Sequence, residues 1–267
     1  LNEGVPFTLF AHQVPALGLK SVRPRWFDGT ALCLGSMTPD LVTGLGVPHW
    51  SWLNVPPAWL LGVVATVIVR TSVISVAAAH LPDLGPFRLH SWRVLARCRH
   101  TWKATLVSVA VGLATHHVLD SFTHPFGDGA RLLGYDDVEV VLFGVASPLA
   151  SVFQWIGHSL GSMTAVWMLL VLGSHRRLDD WYGADAVAAD RSFRIAAGGR
   201  RLFWTVTALG SLVGVIAATT TDLRSGVARV ILATGAGVTV AAQLPACRPE
   251  PVDPTLAPPA QPYDAQR

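Results

Sequence analysis

"VPPAWLLGVVATVIVRTSVISVAAAH", residues 55–80, decides the fold. Up to Val69 it is apolar enough to lie in hydrocarbon, and a helix needs about 20 such residues to cross a core of about 30 Å. Arg70 interrupts it, so two readings stand. Either one span covers 55–79, or the span stops at Arg70 and "TSVISVAAAH" lies at the interface. Both make it a membrane segment, and the composition agrees. Of 267 residues, 51% are hydrophobic and 14% charged, against roughly 25% charged in an average soluble domain.

Comparable runs at 29–46, 102–122, 147–173, 202–220 and 226–244 predict an all-α polytopic transmembrane helix bundle of six spans over residues 29–244. If the fourth span begins as early as Val138, Pro148 kinks or divides it. Residues 1–28 form an N-terminal segment that opens acidic, is broken by His, Gln and Pro, and does not read as a signal peptide. The tail, 245–267, is Pro-rich without apolar periodicity and reads as disordered.

Lys and Arg sort by side. Lys20, Arg23 and Arg25 precede the first span, Arg88, Arg93, Arg97, Arg99 and Lys103 follow the second, and six Arg follow the fourth. Residues 47–54 carry no charge, and "GDGARLLGYDDVE" carries one Arg against four acidic residues. By the positive-inside rule these two loops face outward, and the expected location is the inner (cytoplasmic) membrane, multi-pass, with the C-terminus inside. The net charge of +3 follows from those basic loops and argues for no nucleic-acid partner. Cys33, Cys98 and Cys247 are scattered, which argues against a disulfide framework.

An ionisable side chain at mid-span costs about 2.5–3.5 kcal/mol on the mildest scale, so each needs a reason. In "THHVLDSFTH", 115–124, His116, Asp120 and His124 are spaced i, i+4, i+8 and share one helix face, continued by Thr105, Ser108 and Gly112. His117 lies 100° away. The fourth span carries a second polar stripe, Ser147, Ser151, Gln154, His158 and Ser162, and the first a third, Ser36, Asp40 and Thr43. At 1.5 Å per residue, Asp40, His116 and His158 lie roughly 9, 12 and 16 Å from the outer ends of their helices. His49, in "VPHWSW", lies on the outer loop above them.

Imidazoles and carboxylates at one depth, with no thiolate, are the ligand set for Zn²⁺ or a similar divalent ion. Other readings stand beside this one: a buried His-Asp-His hydrogen-bond chain, or a proton or ion pathway. Further alternatives are a His158–Ser bond, an Asp40 cap where the helix restarts after Pro39, and a His49 that belongs to an aromatic belt. His80, His90, His100 and His175, in the basic loops, read as solvated or lipid-facing.

"PFTLFAH", "GSMTPD", "THHVLDSFTH" and "QWIGHS", in that order, resemble an uncharacterised family of bacterial integral membrane proteins, a domain of unknown function, over residues 4 to about 175. That family is distantly similar to predicted membrane-bound metal-dependent hydrolases. The resemblance implies metal ligands among His12, Asp40, His49, His116, Asp120, His124 and His158. Where family members usually carry Ser-His-Pro, this chain has "AHQ", which leaves the backbone around His12 open. "PFTLFAHQVPALGL" is too short to span. As a partial or re-entrant helix starting toward the outer side, it would lift His12 about 12 Å above the basic segment, near the other ligands. A weaker similarity, in H-x3-D pairs, is to zinc-dependent phospholipase C and nucleases.

The resulting expectation is a metal-dependent membrane hydrolase acting on a lipid-linked or amphiphilic ester or phosphoester. Its metal ligands would be His12, Asp40, His116, Asp120 and His158, with His124 and His49 as general acid or base. The alternative is a non-enzymatic membrane protein using the same cluster for metal or proton transport, or for structural metal binding. Oligomeric state is not legible.

Overall fold

The computed structural model describes residues 10–252, except 44, 48–51, 99, 126, 143 and 222. A short α1 (Gln13–Val22) leads into α2 (Gly29–Thr43). Next come α3 (Val55–Ile68) and α4 (Ile74–His80), joined without a break by a π-helical turn, Val69–Val73. Arg70 therefore does not end the helix: the apolar segment runs continuously through Val55–His80, 26 residues. The turn directs Arg70 inward, where Nη1 meets Asp28 Oδ2 at 2.8 Å. An intramembrane charge is retained where it has a partner.

The chain continues through α5 (Trp102–Thr123), the short α6 (Asp128–Leu132), the hairpin β1 (Glu139–Leu142) and β2 (Val145–Pro148), and α7 (Leu149–Ser174). The hairpin pairs Glu139 with Pro148 and Leu142 with Val145, so α7 starts after Pro148 and the option of a helix from Val138 falls away. The β-branched run "EVV" favours a strand. Gly144, at φ +82° in the turn, supplies the backbone conformation that side chains resist. Then come α8 (Arg177–Tyr182), α9 (Ala184–Arg191), the two-residue β3 (Phe193–Arg194), α10 (Gly199–Ala218) and α11 (Leu223–Gln243).

Each expected span corresponds to a helix, and among the described residues four are long and apolar enough to cross a membrane: Val55–His80, Leu149–Ser174, Gly199–Ala218 and Ser225–Gln243. The other two, α2 and α5, carry two of the three polar stripes, and α7 carries the third. α2 is the hub, with nine of its 15 residues buried. It presses on α5 through glycines: a Cβ on Gly35 would stand 2.4 Å from the Val109 carbonyl oxygen, and one on Gly112 2.2 Å from that of Leu32. Small residues let helix backbones touch, and van der Waals packing is what holds helices together where lipid supplies no hydrophobic drive.

The basic loops do not stay in solvent. Val94, from a 3₁₀ segment (Leu89–Ala96), forms a small core with Leu178 and Val187. Arg93 donates to the Asp190 carbonyl, and Arg97 Nε pairs with Asp190 Oδ1 at 3.0 Å. Two histidines expected to be solvated or lipid-facing are instead buried within the protein: His80 is 2% exposed and stacks on Phe203 at 4.2 Å, and His100 is 9% exposed and accepts from Lys20 Nζ at 3.3 Å. His90 is half-buried, and His175 is exposed as expected. The chain also stays folded past 245. Cys247 is buried, and β4 (Glu250–Pro251) pairs with β3, so the expected tail is ordered to 252, and residues 253–267 lie outside the described ones. The three cysteines are unpaired thiols.

Candidate metal centre

The stripe on α5 is formed as its spacing requires. Thr101 caps the helix, its side chain accepting from the Ala104 N–H, and the helix ends at His124, which Pro125 forces into extended backbone at ψ 144°. His116, Asp120 and His124 are all buried, with His116 wholly inaccessible, while His117 is half-buried and meets the His116 ring edge-on.

His116 owes its setting to the α2–α5 contact. With the backbones touching at Gly112, Nδ1 of His116 reaches the Ser36 carbonyl at 2.9 Å. A carbonyl only accepts, so Nδ1 carries the proton; Nε2 either donates to a carboxylate as part of an imidazolium or, in the neutral ring, offers its lone pair to a cation. That nitrogen stands 3.1 Å from Asp120 Oδ2. A backbone carbonyl behind an imidazole is the usual second-layer support of a metal-ligating histidine.

α2 supplies Asp40, 5% exposed. The helix runs unbroken through Pro39, so Asp40 does not cap a restarted segment. Pro39 has no N–H to offer the Gly35 carbonyl, and Thr38 Oγ1 donates to it at 3.1 Å instead.

α1 brings His12. At ten residues it is too short to span, and it packs on α2 and α7 as a partial helix headed by His12. Gln13 does what the departure from the family pattern left open: its Nε2 donates to Ser36 Oγ at 3.2 Å and to the Cys33 carbonyl at 3.3 Å, pinning α1 to α2. On the other side Gly161 of α7 allows the approach, since a Cβ there would sit 2.8 Å from that of Ala11. The His12 ring stacks on His116 with centroids 4.0 Å apart, and its Nε2 lies 3.6 Å from Asp120 Oδ1. Its buried Nδ1 has no hydrogen-bond partner among the described residues. His158 of α7, 8% exposed, meets His12 edge-on at 5.8 Å.

Four helices thus deliver five of the expected ligands to one buried place, and within it His12, Asp40 and His116 each offer a donor atom within 4.8 Å of the others. His124 stands slightly apart. Its Nδ1 faces the Asp120 carbonyl at 3.2 Å and so carries the proton, and its Nε2 accepts from Gln154 Nε2 at 2.8 Å. Both nitrogens are engaged, and acid–base work by His124 requires Gln154 to release it. His49 lies outside the described residues.

A second buried polar cluster, at the other end of α2 and α5, was not anticipated. Asp28 accepts from the Ala31 N–H at 3.2 Å and from Thr105 Oγ1 at 2.7 Å besides pairing with Arg70, and its own N–H donates to Ser108 Oγ. Its signal was Arg70 itself, a charge inside an apolar run that demanded a carboxylate.

No curated protein and no solved structure matches this chain, and the comparisons do not extend the likeness to metal-dependent hydrolases. The family described as domain of unknown function DUF4184 matches residues 5–245, nearly the whole chain, and the protein belongs to it.

Proposed function

We propose that this protein is a metal-dependent membrane hydrolase acting on an ester or phosphoester of a lipid-linked or amphiphilic substrate. The observation that carries the reading is the buried convergence of His12, Asp40 and His116, with donor atoms within 4.8 Å of one another. Two imidazoles and a carboxylate without thiolates match Zn²⁺ or a similar divalent ion. A bound ion would supply Lewis acidity at the scissile bond and acidify water. The chain's own residues do the rest. The Ser36 carbonyl fixes the tautomer of His116, Gln13 holds α1 so that His12 stays in the cluster, and Asp120 and His158 complete or orient the set.

The positive-inside rule supports an orientation in which the histidine end faces outward and the arginine-rich end faces the cytoplasm of the inner membrane. A transporter would need access from both ends. Backbone contact between α2 and α5 at Gly35 and Gly112 lies between the ends and favours a site reached from one side.

Metal analysis of protein purified without chelators tests this. The wild type should carry stoichiometric metal, and Asp120→Asn and His116→Ala should each weaken binding by about 10–100-fold or more. Absence of metal from the wild type ends the reading. Bound metal with no turnover of any lipid ester or phosphoester would place the same cluster in metal transport or structural binding.

A further inference from the structure

Between α1, α5 and α7 lies a cavity of about 180 Å³, with His12 and His158 among its lining. Val14 and Pro15 of α1, Leu119 and Thr123 of α5, and Gly157 of α7 form its walls. The two imidazoles are its buried end, whereas Leu119, at 37% exposure, and Gly157 stand at its mouth. Val118, Ile156 and Leu160, each about half exposed, flank that mouth, so the opening gives onto apolar surface. The void is much smaller than the roughly 300–1,000 Å³ of a pocket that encloses a whole ligand. It has the dimensions of a slot for part of one.

Gly157 is the telling wall. Where helices touch at Gly35, Gly112, Gly161 and Gly173, a Cβ would meet a neighbour at 2.8 Å or less, whereas Gly18 and Gly235, which do not line this cavity, face open space. At Gly157 the nearest neighbour of a Cβ would be Thr123 Cγ2 at 3.9 Å. A glycine inside a helix costs about 1 kcal/mol relative to alanine, and no packing contact at this position repays it. What the missing side chain preserves is the slot.

We propose that the slot receives an unbranched acyl chain of a membrane glycerolipid, entering from the bilayer with the lipid's polar end against His12 and His158. The occupant follows from the walls: hydrocarbon sides, a mouth on the lipid-facing surface, and a buried imidazole nitrogen on His12 with no hydrogen-bond partner among the described residues at the closed end. At about 180 Å³ the slot holds a segment of one unbranched chain, and each methyl branch of an isoprenoid would add volume to that segment. This inference rests on the membrane hydrolase reading and specifies its substrate class.

The full chain, reconstituted in phosphatidylcholine nanodiscs containing a phosphatidylcholine with a diazirine in its acyl chain, is irradiated and its adducts mapped by peptide mass spectrometry. Adducts should concentrate on Val14 and on Leu119 to Thr123. They should be lost in Gly157→Leu with bound metal unchanged, and Gly157→Ala should retain them. Thr123→Leu narrows the slot from the opposite wall and serves if Gly157→Leu disturbs folding. Adducts confined to outward residues such as Leu160 and Trp167, adducts that survive both variants, or labelling only by an isoprenyl phosphate probe overturn the proposal. Slot adducts without bound metal in the wild type would remove the metal reading and leave the slot. Bound metal without slot adducts would do the reverse.

Discussion

His124 is held in one tautomer from both sides, by the Asp120 carbonyl facing its Nδ1 and by Gln154, which reaches across from α7 to donate to its Nε2. Gln154→Leu leaves that nitrogen buried without its donor, and an unsatisfied buried polar atom costs about 1–3 kcal/mol. The variant should therefore melt earlier in detergent. It should lose less metal than His116→Ala, because it touches no member of the triad. Metal titration beside a thermal melt checks both. The three buried members of the α5 stripe were legible from the cost of ionisable groups in a membrane and from helical spacing alone. His12 was not, because it heads a segment outside every span and entered only through family resemblance. Gln154 was visible as part of a polar stripe, but its partner depends on how α5 and α7 are rotated about their axes, and a single helix's periodicity does not contain that.

Among the elements, the Val55–His80 helix is the most informative. Arg70 made its length ambiguous, and the ambiguity resolves through Asp28, 42 positions earlier on another element. Asp28→Ala strands the guanidinium in the bundle and should cost about 3–5 kcal/mol, whereas the double variant Asp28→Leu with Arg70→Met should recover most of it. A double-mutant cycle by thermal unfolding gives the coupling, and additive losses would show the pair to be unimportant. The hairpin at 139–148 escaped notice for a different reason. Its short apolar run sits directly before a longer helical one, and short apolar runs do not distinguish strand from buried helix.

As a whole, the molecule has two polar ends joined by a tight α2–α5 seam. One end gathers histidine and aspartate, and the other pairs its arginines with Asp28 and Asp190. The proposed orientation is testable at the histidine end. Gly129 is unsuitable for a probe, because a Cβ there would stand 2.6 Å from the Phe122 ring, but the neighbouring Asp128 side chain is 95% exposed. Asp128→Cys should react with an impermeant thiol reagent on intact cells. Labelling only after lysis would invert the topology. The native cysteines are buried or half-buried, and burial pushes the Cys98 thiol up to about 11, which keeps its background slow.

The Asp28–Arg70 pair also bears on how the chain enters the bilayer. Alone in hydrocarbon, a helix bearing Arg70 carries a penalty of at least about 2.5 kcal/mol. Beside α2 the charge meets the Asp28 carboxylate, which the Ala31 N–H of that helix already holds. The cheap route is for α2 and the Val55–His80 helix to leave the insertion machinery together as a preformed hairpin. The biogenesis of the protein is then cooperative from its earliest step, because a nascent chain truncated before Arg70 lacks the charge that draws the second helix against the first.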